Sequence, residues 1–277
     1  MRWLIIFTLI VLMAKANALC IVTTFPSLEE DVKLIAPSDE IYSIPVYSHD
    51  YELTPRDIDL LKRADVIVST AHTHFEMKIL ELKANGEIKG YIFEIPKVKG
   101  LKLLNYPNSS TTNYHMPIYN PENYKVFITA LAEVLQTLNP ERDYIKKAKD
   151  VCREVDEIVK NARRLNGTAL VDYPFAQYAV SWLGLEVVEI AFEAPLTPKT
   201  FKEVDYIVLT RQNEKSKALL ENVKCKYVIY IDSPFVKKSI PEKLRDIEVK
   251  EVNETPGFLA ILTGIAGVLA WKLRNGF

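Results

Sequence analysis

The chain has little histidine, little cysteine and no long block of like charge. Its 277 residues include four histidines and three cysteines, the latter being Cys20, Cys152 and Cys225. Lysine and arginine number 35 against 36 aspartates and glutamates, a formal net charge of -1. The phosphate-neutralising field on which a nucleic-acid binder depends is therefore missing. No two cysteines have the C-x-x-C spacing of thiolate metal or redox sites, and H-E-x-x-H, the helical zinc-protease motif, does not occur. Cys152 falls on the apolar stripe of a helix and Cys225 at the start of a strand-like run, so both are expected as buried free thiols. With 48% hydrophobic and 26% charged residues, and mean hydropathy close to zero, the composition excludes a disordered tail, a collagen-like fibre and a polytopic membrane protein. It is long enough for two middling domains, each with its own core.

What the chain does have begins with a basic start, an apolar run from Trp3 to Ala14 and the small-residue triplet Ala16-Asn17-Ala18. That is the pattern of a secretory signal peptide over residues 1–18, and it implies a mature protein working outside the cytoplasm. The apolar run is shorter than the roughly 20 residues a spanning helix needs. Cys20 lies just past the cleavage site and leaves open a lipid tether. The uncharged stretch from Gly257 to Trp271 suits a buried last helix better than a membrane anchor, because it too is short of a full span and carries Gly264 and Gly267 for close packing. Sequons at Asn108, Asn166 and Asn253 are compatible with export.

Strand-like runs then alternate with helical ones. Strands are expected at Cys20 to Phe25, Ile41 to Val46, Asp65 to Thr70 and Tyr91 to Ile95, with helices near 28–36, 55–63 and 75–84. A second series starts at Thr168 and runs through Leu185 to Ile190, Asp205 to Thr210, Lys226 to Ile231 and Ile247 to Val252. Such alternation predicts an α/β fold of two lobes with mostly parallel sheets. Between them, Tyr144, Ala148, Val151, Val155, Ile158 and Ala162 recur at spacings of four and three, forming one apolar stripe. This predicts a long backbone helix packed along both lobes, with Pro140 at its first position and Asn166-Gly167 as its cap. The expected organisation is a signal peptide at 1–18, a first lobe at 19–138, a linking helix at 139–166 and a second lobe at 167–277, with the ligand cleft between the lobes.

All four histidines, His49, His72, His74 and His115, lie in the first 115 residues. Thr54, Pro55 and Asp57 mark a helix start by hydroxyl cap, first-turn proline and third-position acid. His49 is thereby assigned to the loop after a parallel strand. His72 and His74 follow the strand ending at Thr70, and His115 precedes a helix opened by Asn120-Pro121. Every histidine falls on the carboxyl edge of the first sheet, where ligands of open α/β sheets collect, and neutral imidazole is a common ligand of zinc and related ions. The same edge of the second lobe offers Asp172 and Tyr173, and Asp232. Imidazoles from one lobe and oxygen ligands from the other would make a site that closes around a metal.

The run His49-Asp50-Tyr51-Glu52-Leu53-Thr54-Pro55-Arg56-Asp57 resembles the first metal-ligand motif of the zinc/manganese solute-binding proteins of ABC transporters. Ile21 to Pro26 is similar to their first strand, and His115 with Asn120 to Asn123 to their second ligand motif. Ala169 to Tyr173, with Tyr178 and Leu183 to Leu185, resembles the segment of the third ligand, and Asp232 falls where the final aspartate ligand is expected. The resemblance covers nearly all of the mature chain. It implies two lobes joined by a long helix, a divalent transition metal, zinc or manganese first, with iron also open, in the cleft, and delivery to the permease and ATPase of an importer at the membrane by a monomer. The implied ligands are His49, His115 and Asp232, with His72, His74, Tyr173 and Asp172 as further candidates. Tyr173 stands where the family carries histidine or glutamate, and the family's histidine-rich acidic loop is missing, so His72 or His74 could complete the set. A non-enzymatic receptor is therefore expected. Two alternatives stay open: a metal-dependent hydrolase using His72, His74 and His115 with Asp50 as base, and a protein of the same fold that takes an organic or chelated ligand.

Overall fold

The computed structural model describes residues 18–48, 50–192, 203–211 and 213–252. Residues 1–17 of the signal-like segment, His49 and the apolar stretch from Gly257 to Trp271 lie outside the described residues. In chain order the first lobe comprises β1 (Cys20–Thr23), α1 (Pro26–Ile35), β2 (Glu40–Ser43), α2 (Pro55–Arg63), β3 (Val66–Ser69), α3 (His74–Ala84) and β4 (Tyr91–Glu94). Its four strands lie in the order β2-β1-β3-β4, all parallel. Val66, Ile67, Val68 and Ser69 are buried along the whole of β3, because a parallel strand covered on both faces reads as a continuous apolar run. α2 starts where the sequence places it: Asp57 and Thr54 form a reciprocal capping box behind Pro55.

A short hairpin of β5 (Leu104–Asn105) and β6 (Thr112–Asn113) follows, then α4 (Pro121–Leu138) and α5 (Tyr144–Asn161). The expected stripe is the buried face of α5, with Tyr144, Ala148, Val151, Val155 and Ile158 inside. α5 packs on α4 and α1, and on α8 (Ile240–Arg245) of the second lobe. It thus spans both lobes, but its ends differ from the sequence reading. Pro140 sits in the turn before it, whose carbonyls at Pro140 and Arg142 accept from Gln136 Nε2 at 3.0 and 2.7 Å. Its last turn is at Asn161, and Gly167 opens the next strand at φ 135°, where a Cβ would fall 2.6 Å from Asp205 Oδ2. Glycine is required there for close approach and not as a helix cap.

The second lobe adds β7 (Gly167–Val171), α6 (Pro174–Ser181), β8 (Leu185–Ile190), β9 (Val204–Thr210), α7 (Glu214–Asn222), β10 (Cys225–Ile231) and β11 (Glu248–Glu251). Its sheet runs β11-β10-β9-β7-β8, parallel except for β11 at the edge. In both sheets the first strand has its successor on one side and the remaining strands on the other. Each lobe therefore has a switch point, between β1 and β3 and between β7 and β9, and open α/β sheets bind ligands at such crevices. The three cysteines are free and half-buried. No helix among the described residues is long and apolar enough to cross a membrane.

Candidate functional site

The switch point of the first lobe is held by one buried carboxylate. Glu76, in the first turn of α3, is fully buried. Its Oε1 accepts from Thr24 Oγ1 at 2.6 Å, Ser69 Oγ at 3.0 Å and Thr70 N at 2.7 Å. Its Oε2 accepts from His72 N and Thr73 N at 3.1 Å and from Thr73 Oγ1 at 2.9 Å. Burial alone would raise its pKa, but the neighbouring His72 and the hydrogen bonds from Thr24, Thr70 and the His72 amide outweigh that and hold it below the ordinary value. The loop folded around it places Ala71 at φ 51°, a left-handed conformation that costs an alanine about 1–2 kcal/mol. That cost is tolerated where surrounding bonds overdetermine the backbone.

The loop presents His72. Its Nδ1 lies 2.8 Å from Thr70 Oγ1, and its ring lies parallel to Phe25, with centroids 6.4 Å apart. His115 meets it edge-on, at a centroid separation of 4.6 Å and an interplanar angle of 73°. Tyr106 stands beside His115 at 6.5 Å. The residue after His115, Met116, is also left-handed, at φ 47°, so both imidazoles adjoin strained backbone.

His115 comes late in the first lobe's stretch of chain, yet hydrogen bonds tie its segment to the second lobe. Its amide donates to Asn113 Oδ1 at 2.9 Å. The Asn113 amide group, fully buried, donates to Pro174 O at 2.8 Å and to Gln177 Oε1 at 2.9 Å on α6. Tyr178 donates its hydroxyl to Asn113 O and accepts from Leu104 N, and Gln177 Nε2 donates to Asn105 O. The hairpin and the loop after it are therefore docked on α6, and the imidazole pair bridges the two lobes. The sequence-based expectation that all imidazoles belong to one lobe differs from this, because chain position does not reveal which helix a two-stranded hairpin rests on.

The remaining candidates separate. His74 opens α3 and is exposed, whereas the His72 side chain is only 10% exposed. Among the described residues no three His, Cys, Asp or Glu side chains come together as a metal-holding group. The His72, His74 and His115 cluster needed for a hydrolase is accordingly not assembled, since the turn into α3 sends the first two to different surroundings. Asp172 is fully buried at the second switch point, where it accepts from Ser216 Oγ at 2.6 Å, Tyr173 N at 2.8 Å and Thr210 N. Burial raises its pKa despite those bonds. The Tyr173 hydroxyl accepts from Asn213 Nδ2 at 3.0 Å, and its ring packs with Phe175 and Phe192.

Asp232 follows β10. Its Oδ1 lies 2.9 Å from Arg211 Nη1 and its Oδ2 2.9 Å from Lys238 Nζ. Burial pushes the carboxyl up, but the bonds from Lys238 and Arg211 prevail and hold it below the ordinary range. Next along, Phe235 packs on Phe25 across the lobes at 5.7 Å. Glu76, Thr70, Asn113, Arg211 and Lys238 were not singled out from sequence. Thr73-His74-Phe75-Glu76 has the S/T-x-x-E form that marks a helix start and would have pointed to Glu76. Arg211 is 21 residues from Asp232, and no local pattern links them.

The sequence matches the family of zinc-uptake complex component A, periplasmic (ZnuA), over residues 21–223. No curated protein matches in sequence. Among solved structures, the solute-binding protein FpvC of Pseudomonas aeruginosa in complex with Mn2+ is 16% identical with TM-score 0.64, covering 82% of this chain and 94% of that one. The Zn(II)-bound variant of AdcAII from Streptococcus pneumoniae is 20% identical with TM-score 0.63, covering 82% and 95%. The laminin-binding adhesin Lmb of Streptococcus agalactiae is 19% identical with TM-score 0.63, covering 82% and 96%. These structural likenesses establish the two-lobed fold.

Proposed function

The chain belongs to the periplasmic zinc-uptake component A family, and from that premise we propose that it is an extracytoplasmic receptor that captures a divalent transition metal between its lobes and delivers it to an ABC importer. The observation that carries this reading is the imidazole pair, His72 and His115, whose rings lie 4.6 Å apart with their segments anchored to opposite lobes. Two imidazole nitrogens each about 2.0–2.1 Å from a zinc ion fit so close a pair, and a bound ion would fasten one lobe to the other. His49 is proposed as the third nitrogen ligand on its motif. Tyr51, two residues on, packs on Phe75 at 5.6 Å, and Phe75 packs at 6.1 Å on Phe25, whose ring stacks on His72, so Tyr51 belongs to the aromatic cluster that backs the pair. Asp232 is proposed as the oxygen ligand of the second lobe, exchanging its two ion pairs for the metal.

Zinc and manganese titrations of protein purified without chelator test the reading. One ion per chain is expected. Substituting His49, His72 or His115 by alanine should each weaken binding by more than the about 10- to 100-fold that loss of a supporting group costs. Failure of the unmutated protein to take up either ion at micromolar concentration would overturn it.

A second reading, a metal presented with an anionic chelator, draws on the pairing of Asp232 with Arg211 and Lys238. Those cations could take the carboxylates of the chelator instead. Tighter binding of zinc citrate than of zinc alone, lost in Arg211→Met, would favour it.

A further inference from the structure

We propose that Thr70 and Glu76 are positioning residues that fix the tautomer of His72, holding its proton on Nδ1 and presenting the Nε2 lone pair to the metal. The inference rests on the receptor reading, and its argument is one of proton counting. Thr70 Oγ1 carries a single proton and lies 2.8 Å from His72 Nδ1, and 2.8 and 2.7 Å from the two oxygens of Glu76. An ionised carboxylate only accepts. If the hydroxyl gave its proton to His72, its oxygen would face two carboxylate oxygens at hydrogen-bond distance with no hydrogen between them.

The hydroxyl proton therefore goes to Glu76, and the contact with His72 is made by an Nδ1–H that donates to Thr70. A neutral imidazole has one N–H, so the lone pair is on Nε2. The relay takes Glu76 as ionised, the state that the groups around it favour. The amides of Thr70, His72 and Thr73 all donate to it, and amide groups cannot accept. The hydroxyls of Thr24, Ser69 and Thr73 complete the shell. The same residues that shape the loop thus direct the chemistry of the ring, the role that a carboxylate behind a metal-bound histidine usually plays, here relayed through one hydroxyl.

The prediction separates from a merely structural role by spectroscopy and rescue. Long-range proton–nitrogen NMR of the full-length, metal-free chain at alkaline pH should find His72 protonated at Nδ1. Thr70→Val preserves shape but cannot accept the bond. It should shift the ring toward the Nε2–H form and weaken zinc binding by about 10- to 100-fold, with an unchanged circular dichroism spectrum. Thr70→Ser should restore both. Glu76→Gln can fail to fold, and the Thr70 variants keep the test independent of it. An Nε2–H ring in the unmutated protein overturns the relay, and so does Thr70→Val binding zinc as tightly as the unmutated protein. If the unmutated protein binds no zinc, the receptor reading falls and takes the metal role of the relay with it. The tautomer, read without metal, shows separately whether the hydrogen-bond chain was assigned correctly.

Discussion

The two lobes carry the same switch-point architecture and use it differently. In each, a buried carboxylate joins the ends of the two strands that flank the crevice: Glu76 reaches Thr24 and Thr70, and Asp172 reaches Thr210. In the first lobe the chain of hydrogen bonds continues through a hydroxyl to an imidazole. In the second it ends within the lobe, on Ser216 and the Tyr173 amide, and the next carboxylate, Asp232, is held between two cations. The lesson is that a crevice position makes a residue available to ligand only if its neighbours leave it a lone pair to give. In the receptor reading proposed above, the first lobe would offer its imidazoles to a cation directly, and Asp232 of the second would first have to exchange Arg211 and Lys238 for it.

The largest test of this contrast is removal of the two joining carboxylates. Glu76→Ala leaves donors from Thr24, Ser69, Thr70, His72 and Thr73 without their common acceptor, and should cost on the order of 3 kcal/mol or more. Asp172→Ala strands fewer groups and should cost less. Urea denaturation of both variants measures the difference, and an equal loss would mean that the two switch points are energetically alike.

Next comes Arg211→Met, which frees Asp232 Oδ1 while Lys238 remains on Oδ2. The metal-free protein should lose about 1–3 kcal/mol, because a buried acceptor loses its donor. Ligand that binds only the native state raises stability by mass action, so the zinc-induced rise in Tm should grow relative to the unmutated protein. A rise no larger than before would remove Asp232 from the ligand set.

The smallest effect concerns acid. Asp205 clasps the start of β7 in the second lobe, accepting from Thr168 N at 3.0 Å and pairing with Lys226 at 2.8 Å. The Lys226 contact first, then the Thr168 amide, lower its pKa from 3.8 to about 2. Its folded value is depressed, so the stability it adds is present above 3.8 and is lost as pH falls through about 2. Asp205→Asn should therefore be slightly less stable than the unmutated protein near neutrality and equal to it only below about pH 2. Parallel thermal melts across that range check it. A constant gap at all pH values would show that the carboxylate charge plays no part.

Much of the fold was legible because it rests on local chemistry. Thr54, Pro55 and Asp57 announce α2 by a capping box, and the four-and-three spacing from Tyr144 to Ile158 announces the buried face of α5. The boundaries at Pro140 and Gly167 were misplaced since each residue has two uses. Proline suits a first helical position or a turn, and glycine a helix cap or a close approach. The hairpin of β5 and β6 was missed because two-residue strands carry no period to detect. Of the candidate site, His72 was visible as an imidazole just past a sheet strand and His115 as one before a capped helix, while their supporting groups were not.

By itself, then, the sequence determined that there are two α/β lobes, that a long amphipathic helix joins them, and that His72 follows the carboxyl end of β3. Those features follow from periodicity, capping and strand order, all of which act between near neighbours in the chain. Only the tertiary structure decided which imidazoles meet, that the loop of His115 is docked on α6, and that Asp232 is shared between Arg211 and Lys238. Hydrogen bonds and ion pairs depend on distances of about 3 Å in space, and separation along the chain does not set those.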